Sequence, residues 1–282
     1  MITKSLTKAY ISILEMGELG WRIITAFLEL CFLFYDVILS LCKVLNPRYK
    51  GNKSFITQLS LQILFTGVEA FWLVGSVAFL CGAIVIIQAI NNMPNFGVGE
   101  YFGNMLKIFV VRELGPIIAF LVVLGRSGTA LTAYVGNMKV NKEVTALEAL
   151  GIEPVDYLIM PTVTAMAISM VCLNFYFGII AIFGGLAVAK LIIKIPFLIF
   201  LGKAISSISL FDVAFISFKS MITGAIIAIV SCYFGLSVRN IREVSMVVIK
   251  SFVISGILGV MLKIISTIVF FNILFPGARL IM

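Results

Sequence analysis

The sequence predicts an all-α integral membrane protein: an N-terminal amphipathic interfacial helix, about five transmembrane helices, and a short cytoplasmic helix between two of them. Three observations predict it. The 282 residues are 61% hydrophobic and only 12% charged, with a mean hydropathy of +1.16, whereas soluble domains run at roughly 45–50% apolar and about 25% charged. Several apolar runs reach the length of about 18 residues that a helix needs to cross a bilayer. Seven basic residues, Lys4, Lys8, Arg22, Lys43, Arg48, Lys50 and Lys53, precede the first clear span, a bias that holds the N-terminus on the cytoplasmic side.

Residues 1–54 read as the interfacial helix with a basic linker, and residues 55–282 as the transmembrane domain. A first helical segment is expected from about Gly17 to Leu45; the charged residues Glu15, just before it, Glu18, Arg22, Glu29, Asp36 and Lys43 recur mostly at spacings of four and seven, which stacks them on one narrow stripe of a helix. Such a helix suits the membrane interface with its stripe toward water; a first span with its stripe packed against other helices is the alternative. Pro47 to Ser54 is a turn-rich break.

The spans are expected at about Val68–Ile90, Asn104–Val135, Val155–Lys190, Phe211–Ser237 and Met246–Leu274. Gly75 and Gly82 in the first allow close helix contact. The second carries Arg112, Glu113 and Arg126, a set of intramembrane charges that is expensive at roughly 2.5–3.5 kcal/mol each. Arg112 and Glu113 are adjacent and so point about 100° apart on a helix, which rules out a simple pair on one face. Gly115-Pro116 should kink or open the helix there. These charges either position moving parts or form structural ion pairs, with Arg126 the more structural. Between the second and third spans, residues 139–151 form a charged connecting helix, with Asn141 as N-cap, Gly151 and Pro154 as the stop, and Val144, Leu147 and Leu150 on an apolar side. It either lies on the membrane or docks in a groove of a partner. With the N-terminus inside, Lys139, Lys142, Arg239, Arg242 and Lys250 fall in cytoplasmic loops, while Lys190, Lys194 and Lys203 fall outside.

Absences narrow the function. The sequence holds no histidine, which removes the commonest general base, metal ligand and proton relay. No G-x-x-x-x-G-K-[ST] occurs, so the chain carries no P-loop of its own; no G-x-S-x-G or H-E-x-x-H occurs either. Cys31, Cys42, Cys81, Cys172 and Cys232 lie scattered in apolar surroundings and read as small buried hydrophobes. No catalysis, cofactor or metal is expected. The net charge of +8 points to anionic headgroups rather than nucleic acid. No internal repeat supports an inverted-repeat carrier, and no cleavable signal peptide is expected.

The stretch Arg112-Glu113-Leu114-Gly115-Pro116, then Gly125 to Met138, then Glu148 to Pro154 resembles the core of the MlaE (YrbE-type) permeases, membrane subunits of MCE-associated ABC transporters. Members show R-E-L-G-P, then G-R-x-G-[ST]-A-[LI]-x-A-E-[IL]-G-x-M, then a helix ending in E-x-[ML]-x-[VI]-[DE]-P. The close match covers about 45 residues. The resemblance implies a homodimer of permeases, ATPase subunits gripping the connecting helix, and an MCE-domain protein outside. It implies phospholipid or a related lipid as cargo, in a bacterial inner membrane, with a plastid envelope as the lesser alternative. The coupling contacts would come from Lys139, Asn141, Glu143, Leu147, Glu148 and Leu150. The lipid cavity would be lined by Val85, Gln88, Asn92, Met93 and Phe96 at the end of the first span. Two residues depart from the pattern: Tyr134 replaces an acid, and Lys263 stands in the last span where an acid is usual. An ion- or proton-coupled carrier using Glu113, and a membrane scaffold without transport, are the competing readings.

Overall fold

In the computed structural model, the described residues are Phe32, 52–92, 112–192 and 210–274; the expected interfacial helix lies outside them. Among the described residues every regular element is helical. They form α1 (Asn52–Ile63), α2 (Phe71–Asn92), α3 (Gly115–Val123), α4 (Thr129–Val140), α5 (Glu143–Ala149), α6 (Met160–Ile192), α7 (Leu210–Leu236) and α8 (Val244–Leu274). Five stretches are long and apolar enough to cross a membrane: Phe55–Gln88, Arg112–Val140, Val155–Val188, Phe211–Leu236 and Ile241–Val269. The number agrees with expectation, and the third to fifth boundaries agree closely. The first span starts well before Val68, because α1 continues through a π-helical turn at Leu64–Val68 into α2.

Further π-helical turns follow, among them Leu124–Gly128 and Val155–Ile159. Such wide turns leave the regular hydrogen-bond ladder and free backbone carbonyls for side chains. Here one guanidinium uses that opening: Arg126, inside the Leu124–Gly128 turn, donates from Nη1 to the Phe65 carbonyl in the Leu64–Val68 turn at 2.9 Å and pairs with Glu69.

The long helix α6 is the centre of the bundle, packed against α1, α2, α3 and α7. Its contact with α2 is backbone on backbone. A Cβ on Gly82 would collide with the Ala181 carbonyl, and one on Gly184 with that of Phe79, so these glycines set the distance between the helices, as expected for Gly82. Phe120, Phe177, Met166, Met170 and Ile227 fill the buried interior. Buried hydroxyls and amides join helices where no water can: Thr132 meets Ser251 at 2.9 Å, Asn174 donates to Ser220 at 2.8 Å, and Ser231 donates to the Gly128 carbonyl at 3.1 Å. In contrast, α8 leaves Ile249, Val253, Ile257, Met261, Ile264 and Ile268 exposed along its length.

Candidate functional site: an intramembrane charge cluster and a cytoplasmic helix

Pro116 lacks an N–H and its ring crowds the carbonyl four residues back, which is that of Arg112. The helix responds with a π turn over residues 112–114 before α3 begins at Gly115. That turn places Arg112 and Glu113 at the base of a cluster built from three spans. The Glu113 Oε2 atom accepts from Thr267 Oγ1 of α8 at 2.8 Å and from Lys219 Nζ of α7 at 3.3 Å. Lys219 also donates to Thr267 Oγ1 at 2.7 Å, closing a three-residue ring. Arg112 lies in the same cluster, its Nε 3.5 Å from Glu113 Oε1 and its Nη1 4.0 Å from Asp212 Oδ1.

Two sequence expectations are corrected here. Arg112 and Glu113 do form a pair, although adjacent residues of an α-helix point apart; the widened turn and the length of the arginine arm bring the charges together. Arg126 does not join them. It lies thirteen residues after Glu113, about 20 Å along a helix at 1.5 Å per residue, and serves the Glu69 and Phe65 bridge instead.

Sequence reasoning missed Lys219, Thr267, Asp212 and Glu69. A signal existed for two of them. Asp212 and Lys219 stand seven apart in an otherwise uncharged span, and that spacing puts both on one helix face. Lys219 is 1% exposed and Asp212 7%, whereas the Glu113 side chain is 23% exposed. The cluster therefore meets its surroundings at Glu113.

Lys263 adjoins this ring. It lies one turn before Thr267 on α8, is 1% exposed, and its Nζ has no hydrogen-bond partner among the described residues. The Phe120 ring lies 5.4 Å from Nζ. Such a ring is worth about 2 kcal/mol when desolvated, while an uncompensated buried charge costs about 3–5 kcal/mol. The ring alone does not offset the charge.

The expected single helix over 139–151 is two elements. Lys139, half-buried, belongs to the last turn of α4, and α5 covers only Glu143–Ala149. Asn141 is not the N-cap: it ends α4, its N–H bonding back to the Asn137 carbonyl at 2.9 Å. Lys142 occupies the N-cap position of α5 in a left-handed conformation at φ 60°, without a side-chain capping bond, while Asn141 Nδ2 donates to Glu143 Oε1 at 3.3 Å. The reason is length, since two residues must reverse the chain between helices. The stop is as expected. Gly151 has φ 74°, its N–H reaches the Glu148 carbonyl at 3.0 Å, and the Ile152 N–H reaches that of Leu147 at 3.0 Å, the paired bonds of a Schellman ending. Val144 is the buried anchor and Leu147 is half-buried, but Leu150 is 75% exposed rather than packed. Glu143 and Glu148 are also exposed.

Of the expected cavity residues, Val85 is half-buried and Gln88 exposed near the end of α2, Asn92 is the last residue of that helix, and Met93 and Phe96 lie outside the described residues. Tyr134 is 50% exposed. Among the described residues no group of histidine, cysteine or acidic side chains could hold a metal ion.

The sequence is similar to known membrane transport proteins. It is 31% identical over 181 residues to a probable ABC transporter permease protein of Rickettsia typhi, covering 64% of this chain and 70% of that one. A probable ABC transporter permease protein of Synechocystis is 31% identical over 176 residues, 62% of this chain and 67% of the other. The Arabidopsis thaliana protein TRIGALACTOSYLDIACYLGLYCEROL 1, chloroplastic, is 30% identical over 156 residues, 55% of this chain and 45% of its own length. The family described as Permease MlaE matches residues 59–269, which takes in all five spans, the charge cluster and α5. This chain is therefore a multi-pass membrane protein of the MlaE permease family, an ABC transporter permease.

Proposed function

We propose that this permease moves phospholipid or a related lipid between the inner membrane and an MCE-domain partner, driven by a separate ATPase and working as a homodimer. The observation that carries the reading is α5: a helix with a Schellman ending and an exposed Leu150, on a permease that has no P-loop in its own sequence. Such a helix is the shape an ATPase groove receives. Glu143, Glu148 and Leu150 would face the ATPase, with Lys139 and Leu147 at the edge of the contact. Val144 anchors the helix to the bundle, so a push on α5 would pass into α4 and from there to the π turn that holds Arg126.

Lipid cargo is supported by the chloroplastic relative, whose name contains that of a diacylglycerol lipid, and by the apolar end of the first span around Val85 and Gln88. Nucleotide states of the ATPase would act only through their different affinities for two permease conformations. Residues 55–282 would form the permease domain and residues 1–54 an interfacial segment, in a bacterial inner membrane.

Copurification in mild detergent tests the coupling. A P-loop ATPase should accompany the chain, and crosslinkers placed at Glu143 and Glu148 should reach it. If crosslinks from both positions find no ATPase, the reading is wrong. Lipid transfer out of proteoliposomes should require that ATPase and ATP; transfer by the purified chain under an ion gradient alone would favour a Glu113-coupled carrier.

A further inference from the structure

Lys263 is the one member of the intramembrane cluster that nothing so far explains. On α8 it sits four residues before Thr267, and on the partner side Phe120 sits seven residues after Glu113. Both spacings keep each pair on one helix face. The Lys263–Phe120 contact is thus the next layer below the Glu113–Thr267 contact, about 6 Å away along α8 and about 10 Å away along the second span at 1.5 Å per residue. The ring is held in place because Gly259 leaves no side chain between it and α8; a Cβ there would run into Phe120.

Across the two layers, Arg112, Lys219 and Lys263 are basic and Glu113 and Asp212 acidic. The ring of hydrogen bonds ties Lys219 to Glu113, and Arg112 lies between Glu113 and Asp212. Lys263 is left with all its hydrogen-bond capacity unused among the described residues. A buried lysine keeps its charge only where an anion meets it, and otherwise sheds the proton. Its four-carbon arm is flexible enough to reach one, and the partly exposed Glu113 marks where the cluster opens.

We propose that Lys263, beside Lys219, forms a binding site for one singly charged oxyanion, of the kind carried by a phosphate diester. This rests on the lipid-permease reading for its preferred source, the headgroup of an anionic phospholipid, and it narrows the cargo to lipids with net negative charge.

The test is thermal unfolding of the purified, delipidated full chain in an uncharged detergent, titrated separately with phosphatidylglycerol, phosphatidylcholine and inorganic phosphate. A ligand that binds only the folded chain raises its melting temperature. Phosphatidylglycerol should stabilise the wild-type chain at a concentration at least tenfold lower than phosphatidylcholine. Lys263→Met should abolish that preference, Lys263→Arg should keep it, and Arg239→Met, which removes an exposed loop cation, should keep it too. Lys263→Gln serves if the methionine variant does not fold. If inorganic phosphate stabilises in a Lys263-dependent way while phosphatidylglycerol does not, the anion site stands and its ligand is a free ion. If Lys263→Met or Lys263→Gln retains the full preference, or if neither anion outperforms phosphatidylcholine, the site is refuted. In that last case stabilisation by both lipids alike would leave the lipid-permease reading intact, whereas lipid transfer without an ATPase would sink that reading and leave this one standing.

Discussion

Glu113 holds three helices together through one oxygen, and its neighbours have no water to fall back on. Removing it strands Lys219, 1% exposed, against Thr267 alone. Glu113→Gln should therefore lower stability by about 3 kcal/mol, the lower end of the cost of breaking a buried pair. Removing both charges, in Glu113→Gln with Lys219→Met, should recover most of that loss, because a neutral, packed replacement leaves no orphan. Chemical or thermal unfolding of the four proteins in detergent gives the coupling energy directly. A double variant as unstable as the sum of the singles would show that the pair is not what holds this contact.

Helix ends and helix interruptions carry the next level of organisation. Both ends of α5 depend on a left-handed residue, and only one of them is glycine. Gly151 adopts φ 74° without penalty, whereas Lys142 adopts φ 60° with a Cβ present, at a cost of roughly 1–2 kcal/mol for an L-residue. Lys142→Gly should recover about 1 kcal/mol, visible as a higher melting temperature. A lower one would mean that the lysine charge or its contacts outweigh the backbone strain. The π turns work differently. They are wide because the sequence around them needs an opening: Pro116 opens the helix at Arg112, and the turns at Leu64–Val68 and Leu124–Gly128 meet through Arg126. The first two spans are thus clamped at a point that α5 can reach through α4.

At the scale of the whole molecule, the buried layers and the exposed surfaces divide the labour. The bundle interior is closed by glycine contacts between α2 and α6 and by interhelical hydroxyl bonds, so force applied at one end is carried as rigid-body motion. The exposed tip of α5 is where force would enter. Leu150→Asp should leave the melting temperature within the roughly 0.5 kcal/mol expected of a surface change, yet reduce ATPase copurification several-fold. An unchanged yield of ATPase would place the contact elsewhere on the cytoplasmic surface.

Much of this was legible in the sequence for a physical reason: hydrophobic length, glycine spacing and helix-stop residues act locally. They determined an all-helical membrane protein of five spans, the close approach at Gly82 and the end of α5 at Gly151. The local rules also misled where geometry departs from the ideal helix. They set Arg112 and Glu113 apart, grouped Arg126 with them, and gave Asn141 a cap position that belongs to Lys142. The partners of Glu113 were beyond them altogether. Lys219 and Thr267 lie 106 and 154 residues away in the chain, and no periodicity relates residues on different helices. Only the packing of α7 and α8 against the π turn before α3 decided that the acid of the second span is held by a lysine and a threonine. The same packing left a second lysine beside them, with no hydrogen-bond partner among the described residues.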